Sequence, residues 1–326
     1  MTHSDPPPRE ATAPPAAPAP PPPSVSVVVL AYNSAAFLPI CLDELGRSQG
    51  VTLEVIVVDN ASADDSHAIA QAHPAVDRAL RSEKNLGCAG GNNLGWRAAS
   101  HPLVVFLNPD CAVDRLAVAR LVAPLIEDPA VGLTGAKLYY PNSRRLQHAG
   151  GILYTNAMCE HHGMGKEDHG EWDDVSDVDY VTGAFIAVRR ADLEALGGFD
   201  EEYWPAYYEE TDLCTRLRRS AKAVRFVPAA VGWHWESVGL GIESPRFIRT
   251  SYRARMTYVV KNATAGWFMT RFLPFEVRWF CGPYARGYRW ATICSYAHGV
   301  RFALFCLSRF RRRPRANPPR LSRTVS

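Results

Sequence analysis

Three short apolar runs, each closing on asparagine or aspartate, constrain this chain more than any other feature. Ser26-Val27-Val28-Val29-Leu30-Ala31 leads into Tyr32-Asn33, and Leu53-Glu54-Val55-Ile56-Val57-Val58 into Asp59-Asn60. Leu103-Val104-Val105-Phe106-Leu107 leads into Asn108-Pro109-Asp110. Each run is too short for a helix and rich in β-branched residues, so each reads as a strand buried on both faces. After the first, Asn33 and Ser34 offer caps for a helix in which Phe37, Leu38, Cys41, Leu42 and Leu45 recur at helical spacing. After the second, Ser62 or Asp64 opens another helix through Ile69 and Ala70. Strands and helices alternating at this spacing are the signature of a doubly wound α/β layer. Ligands of such sheets sit outside the carboxyl ends of the strands, so the three polar ends are expected on one rim.

What surrounds these runs narrows the chemistry. Ten prolines fall between Pro6 and Pro23, so residues 1–23 read as a disordered Pro-rich tail without the apolar stretch of a secretory signal. Of the eight cysteines none forms a Cys-x-x-Cys pair, which favours reduced thiols over a disulfide framework. No Gly-x-Gly-x-x-Gly follows the first strand, which argues against a dinucleotide site, and Gly165-Lys166 lacks the upstream glycine of a phosphate loop. A diphosphate bound without such a loop usually needs a cation to neutralise it, and Asp110 is the natural carboxylate to hold one.

Val25-to-Leu45, Glu54-to-Ser66, Glu83-to-Gly95 and Leu107-Asn108-Pro109-Asp110 continue into Gly183-Ala184-Phe185, Arg189-Arg190 and Gly197-Gly198-Phe199-Asp200-Glu201. Tyr208-Glu209-Glu210-Thr211-Asp212-Leu213-Cys214 and His234-Trp235-Glu236-Ser237 complete the series. In this order and spacing, over roughly two-thirds of the chain, the motifs resemble the inverting glycosyltransferases of family 2, closest to their rhamnosyltransferase-like branch. The resemblance implies a GT-A fold, which is a Rossmann-like α/β nucleotide-diphospho-sugar transferase core with a mixed sheet, here followed by a C-terminal helical segment. It also implies a nucleotide-diphospho-sugar donor and a divalent cation, Mg²⁺ or Mn²⁺.

The same resemblance assigns roles. Asp59 accepts hydrogen bonds from the donor's base, with Asn60 beside it, and Tyr32 and Asn33 shape the base and ribose pocket. Asn85-Leu86-Gly87-Cys88-Ala89-Gly90-Gly91-Asn92-Asn93 is a compact entry to a helix. Asn85, Gly90 and either Asn92 or Asn93 are expected near the donor sugar or diphosphate. Asn108 and Asp110 occupy the place of the family's Asp-x-Asp metal motif. With one of its two positions acidic, diphosphate oxygens and water must complete the shell. His234 reaches back to the metal, and an imidazole ligand makes Mn²⁺ competitive with Mg²⁺.

Inverting transfer is a single displacement in which a carboxylate takes the acceptor's hydroxyl proton. The family's base is the aspartate of a Glu-Asp pair, a position held here by Glu210, with Glu209 as the alternative. Asp212 is expected to orient the helix or the acceptor, and Trp204 and Tyr207 to stack on acceptor sugars. Cys159-Glu160-His161-His162 with Asp168 and His169 matches no tetrahedral metal spacing. Its glycines suggest a mobile segment, a lid over donor or acceptor.

The C-terminal end differs in charge. The net charge is +3, yet no acidic residue follows Glu276 while eleven arginines do, leaving −8 on residues 1–276. Trp, Phe and Arg are interleaved there, and the longest charge-free apolar piece, Trp290 to Val300, has eleven residues, well short of a membrane span. That pattern suits helices lying on an anionic membrane surface, with Arg309, Arg311, Arg312, Arg313 and Arg315 at headgroups. The alternative is a basic tail behind a helical subdomain packed on the core. No recognisable nucleic-acid module accompanies the basic segment.

The sequence therefore divides into a GT-A domain at 24–240, a helical, membrane-associating segment at 241–313 and a basic disordered tail at 314–326. The expected activity is transfer of rhamnose from dTDP-rhamnose to a polyprenyl-linked or cell-surface glycan, at the cytoplasmic inner face of the plasma membrane. The same fold with galactofuranose or a hexose, or a non-catalytic nucleotide-sugar binder, are the alternatives. Oligomeric state is left open.

Overall fold

The computed structural model describes residues 21–235 and 244–310. Most of the Pro-rich tail, Glu236-Ser237, the expected boundary at 240, the arginines from Arg311 onward and the basic tail lie outside the described residues. The first half alternates as the apolar runs require: β1 (Ser24–Ala31), α1 (Leu38–Gly46), β2 (Thr52–Asp59), α2 (Ser66–Ala72), β3 (Arg78–Arg81), α3 (Gly87–Arg97) and β4 (Leu103–Leu107). β5 (Cys111–Val113), α4 (Ala117–Glu127), β6 (Val131–Tyr139) and β7 (Leu146–His148) follow. Next come a hairpin of β8 (Gly151–Leu153) and β9 (Cys159–His161), then β10 (Ser176–Asp177), β11 (Phe185–Arg189) and α5 (Arg190–Leu196). α6 (Glu209–Arg219) and the long β12 (Ala223–His234) close the core.

Ten strands form one sheet, in the path β10-β12-β6-β11-β4-β1-β2-β3 with β5 on β12 and β7 on β6. β1, β2, β3 and β4 pair in parallel, as does β12 with β6, while β11 runs antiparallel between β4 and β6. The sheet is therefore mixed. Alternate residues leave opposite faces of each strand. Val27, Val29, Val57, Val105 and Leu107 pack with α1 and α4 on one side. Val28, Ile56, Val58, Val104 and Phe106 pack with Trp96 of α3 and Leu213 and Leu217 of α6 on the other. Burial on both faces explains why these strands read as unbroken apolar runs.

Two expectations about local structure change. Asn33 and Ser34 do not cap α1 through their side chains: the Ser34 carbonyl accepts from Phe37 and Leu38, and Asn33 Oδ1 accepts from Ala63 N–H at 2.8 Å. The segment from Cys159 to His169 is not a loose lid. β9 pairs with β8, and Asp168 is buried, taking a 2.9 Å bond from Lys137 Nζ and another from the Tyr139 hydroxyl. A buried ammonium and a phenol on β6 pin this loop to the sheet.

The C-terminal helices are α7 (Pro245–Asn262), α8 (Ala265–Trp267), a π-helical turn at Phe268–Phe272, α9 (Leu273–Cys281) and α10 (Arg289–Phe310). α7 packs on the core through Tyr258, whose hydroxyl lies 2.7 Å from Thr215 Oγ1, and through Lys261, paired with Asp200 and Glu202. Ala254, Met256, Tyr258 and Val259 form a small apolar core with Tyr203 and Tyr208. Among the described residues no helix is long and apolar enough to cross a membrane.

Candidate active site

Strand register places the site. Ala31 lies beside Asp59 and Val29 beside Leu107, so the residues after β1, β2 and β4 share one edge of the sheet. β12 reaches that edge where His234 pairs with Cys111 of β5. There His234 Nε2 stands 3.2 Å from Asp110 Oδ1 and 3.3 Å from Asn108 Nδ2. Its Nδ1 is 2.7 Å from Gln147 Oε1, while Gln147 Nε2 donates to the His234 carbonyl at 3.3 Å. With that amide orientation Nδ1–H is the donor, and Nε2 is left facing the carboxylate oxygen. A histidine steered by a hydrogen bond at its other nitrogen, facing a carboxylate, is how proteins present a ligand to a cation.

The donor set fits such an ion. Asp110, Cys111 and His234 have ligand atoms within 4.8 Å of one another, a grouping that no other set of three such residues achieves among the described residues. Cys111 is the poor member: burial, then the Asp110 charge, pushes its thiol well up, and Sγ donates to the Ala184 carbonyl at 3.6 Å. Asp110 and His234 remain as the protein's two ligands.

A pair of carboxyl groups lies one loop away. Tyr207 (φ 77°) and Tyr208 (φ 69°) both adopt the left-handed conformation, which costs non-glycine residues on the order of 1 kcal/mol each or more. This strained turn starts α6 on Glu209 and Glu210. Glu210 packs against Gly183, where an added Cβ would sit 3.4 Å from Glu210 Cβ. The next residue, Ala184, accepts from Asn108 N–H at 2.9 Å, so a single peptide links the carboxyl pair to the Asp110 rim. Burial pushes Glu210 up to about 7. Burial and then the Glu210 charge push Glu209 well above the carboxylate range, with a hydrogen bond from the Cys88 thiol opposing them. Near neutral pH Glu209 therefore keeps its proton while Glu210 is poised to lose one.

Several expected ligand contacts turn out to be braces. Asn93 is fully buried: Nδ2 donates to the Phe199 carbonyl and to Glu201, and Oδ1 accepts from Phe199 N–H and Trp96 Nε1. Asn60 Oδ1 accepts from Leu86 N–H, and its Nδ2 donates to Asn85 Oδ1 and the Gly87 carbonyl, so Asn60 and Asn85 shape the turn before α3. The glycines there serve packing. A Cβ at Gly91 would come 2.3 Å from Leu30, and one at Gly90 2.8 Å from Leu86. Asn92, unlike Asn93, stays half-buried, so of the two it is the one open to a ligand.

Asp59 is fully buried, with Oδ1 accepting from Ser62 N–H and Oδ2 3.3 Å from Arg81 Nε. Tyr32 is exposed at the same rim. For Asp212 the structure favours the first of the two expected roles, orienting the helix: it accepts from Tyr203, Asn262 and Arg216 and is buried, so it braces α6, and the acceptor contact is the part corrected. Tyr207 packs edge-on against Phe247, leaving Trp204 as the exposed ring. Sequence reasoning missed Gln147 and Arg81, which lie in segments with no motif of their own, and Cys88, which lies inside the Asn85–Asn93 run; each matters only through a partner distant in the chain.

The family profile described as Glycosyl transferase family 2 matches residues 26–197, from β1 to the end of α5. The chain belongs to glycosyl transferase family 2. This family 2 chain is 25% identical over 274 residues to an N-acetylglucosaminyl-diphospho-decaprenol L-rhamnosyltransferase of Mycobacterium tuberculosis, covering 74% of this chain and 85% of that protein. It is 28% identical over 227 residues to an uncharacterized protein, y4gI, of Sinorhizobium fredii. That match takes in 67% of this chain but spans only 25% of the Sinorhizobium protein's length. Among solved structures, the mannosyltransferase PcManGT of Pyrobaculum calidifontis, in complex with GDP-Man and Mn²⁺, superposes with a TM-score of 0.55 at 18% identity, covering 88% of this chain and 79% of that one. The GT-A architecture is thus shared at low sequence identity. The profile ends before Glu209, Glu210 and His234, which are placed by the fold alone.

Proposed function

We propose that this chain is an inverting, divalent-cation-dependent glycosyltransferase that moves a sugar from a nucleotide-diphospho-sugar to a lipid-linked or cell-surface glycan. The observation that carries this reading is the joining of two devices on one rim: the Asp110–His234 pair and the Glu209–Glu210 pair. When bound, the cation supplies neutralisation of the charge that develops on the departing nucleotide diphosphate. Asp110 and His234 would hold it, with Gln147 fixing the imidazole. Glu210, ionising near neutrality, takes the acceptor's hydroxyl proton as that oxygen attacks the anomeric carbon. Protonated Glu209 beside it keeps a second negative charge away from the base.

Rhamnose from dTDP-rhamnose is the favoured donor sugar, supported by the mycobacterial relative's activity. Galactofuranose or a hexose would use the same groups. Equilibrium binding of dTDP and UDP with and without Mn²⁺ tests the donor side. Asp110→Asn and His234→Ala are each expected to weaken Mn²⁺-dependent nucleotide binding by about 10–100-fold, with binding in EDTA unchanged. Equal Mn²⁺ dependence in wild type and both variants contradicts the assignment.

The acceptor is read as membrane-bound, supported by the outer surface of the C-terminal helices. On α10, Trp290, Ile293, Ala297, Val300 and Leu304 are exposed and recur at three- and four-residue spacing along one face. Arg286, Arg289 and Arg301 are exposed around them, with no acidic residue after Glu276. Apolar groups at acyl depth with arginines at headgroup level suit an anionic leaflet on the cytoplasmic side. Full-length protein is expected to float with phosphatidylglycerol vesicles and stay down with phosphatidylcholine vesicles. Trp290→Glu/Leu304→Glu is expected to lose most of that flotation; equal flotation of the variant would contradict a membrane role for this face.

A further inference from the structure

Between the loop that leads into the carboxyl pair and the start of α7 lies a cavity of about 700 Å³. One wall is Trp204-Pro205, in the loop that leads into Glu209; the opposite wall is the first half of α7, with Arg246, Arg249, Thr250 and Arg253. The two walls are tied together where Tyr207 packs on Phe247, and Pro205 is tied to the donor side by a 2.8 Å bond from Cys88 N–H. The volume is that of an ordinary small-ligand site.

The three arginines are spaced i, i+3 and i+7, so they stand on one face of the helix. All three are exposed, and among the described residues none makes an ion pair. By contrast, Arg216, Arg218 and Arg225 each hold an aspartate, and Arg255, two residues beyond Arg253, is buried against Glu276. Three guanidinium groups lining one cavity, with no ion pair among the described residues, create a local field for a multiply charged anion. Guanidinium matches phosphate oxygens bidentately, and an exposed indole at the rim offers a stacking face for a sugar.

We propose that this cavity binds the diphosphate of the acceptor, through Arg246, Arg249 and Arg253, with Trp204 against the sugar that carries the attacking hydroxyl. The proposal deepens the glycosyltransferase reading and rests on it. The arginines hold the acceptor's charged end while the loop at Trp204 directs its sugar toward Glu210. Its lining shares no residue with the Asp110–His234 rim, so this diphosphate site is distinct from the one that takes the donor nucleotide.

Titration of the full chain with inorganic pyrophosphate and with geranyl diphosphate, followed by isothermal calorimetry with saturating UDP and Mn²⁺ present, tests this. Binding to wild type is expected despite the occupied donor site, and Arg249→Gln/Arg253→Gln is expected to weaken it about 100-fold. Arg249→Lys/Arg253→Lys should recover part of the loss, and Arg301→Gln on α10 should match wild type. Tighter binding of geranyl diphosphate than of pyrophosphate assigns the anion to a prenyl-linked acceptor. Equal, arginine-dependent binding assigns it to a free or sugar-borne diphosphate. Undiminished binding in the Gln variant, or displacement of either probe by UDP, overturns the proposal. Failure of UDP to bind with Mn²⁺ would instead overturn the donor-site reading, so the two failures are separable.

Discussion

Glu210→Gln is expected to lower kcat by about 10²–10⁴-fold while leaving nucleotide binding within about twofold, because the amide keeps the shape of the side chain but takes no proton. Glu209→Gln should cost far less, since Glu209 is already protonated near neutrality and an amide reproduces its neutral state. The pH profile carries the same signature. Glu210 ionises at about 7, so wild-type kcat should rise about tenfold per pH unit below that value and level off above it. Stability should move the opposite way. Burial raises the Glu210 pKa above that of the unfolded chain, so the folded state binds the extra proton between about 4.5 and 7. That stabilisation is present at low pH and is lost as pH rises through 7. Glu210→Gln, having no charge to bury, should therefore be more stable than wild type at pH 8, by on the order of 1–3 kcal/mol. An inactive variant with a higher Tm at pH 8 and an equal Tm near pH 5 identifies a base held at a cost in stability. A variant of undiminished activity would move the role to another group.

The second large effect concerns the helices behind the site. Arg255 of α7 is fully buried and paired with Glu276 of α9, itself 3% exposed. Asn156 from the β8–β9 hairpin donates to Glu276 Oε2 at 3.1 Å, and Tyr296 of α10 to Oε1 at 2.6 Å. The guanidinium also lies 5.5 Å from the Tyr252 ring centroid and 5.6 Å from that of Trp279. Four separate segments thus meet at one charge pair. Arg255→Met leaves the Glu276 carboxylate buried without its counter-ion and should cost about 3–5 kcal/mol. In a chain of this size that is a fall in Tm on the order of 10 °C. Arg255→Met/Glu276→Leu should recover much of the loss, because no unpaired charge remains. If the single variant melts like wild type, the pair does not join these helices to the core.

The sheet was readable in the sequence because β1, β2 and β4 are buried on both faces and so announce themselves as unbroken Val, Ile and Leu runs. β3, with exposed Arg78 and Arg81 at its ends, and the three-residue β5 and β7 carry no such pattern. The Asp110–His234 pairing was legible as a family resemblance, but the partner that orients His234 was not. Gln147 is separated from it by 87 residues and sits in a strand too short to show periodicity. The asparagines misled for a physical reason. Asn85 and Asn93 flank a glycine-rich turn, and Asn60 reaches into it from the end of β2, where a ligand and a buried backbone need the same donors and acceptors. Only the packing of α3 against β1 decides between them. Asp212 was legible only as two alternatives, since a carboxylate in a first turn suits both a helix and a substrate.

The central claim is that Asp110 and His234 together hold the ion that meets a nucleotide diphosphate. Crystals grown with UDP or dTDP and Mn²⁺, measured at the manganese absorption edge, test it directly. The account predicts one anomalous peak about 2.0–2.3 Å from both an Asp110 oxygen and His234 Nε2, in contact with diphosphate oxygens. A nucleotide bound at the rim with its manganese elsewhere, and with Asp110 and His234 still facing each other across the same 3.2 Å gap, would contradict it.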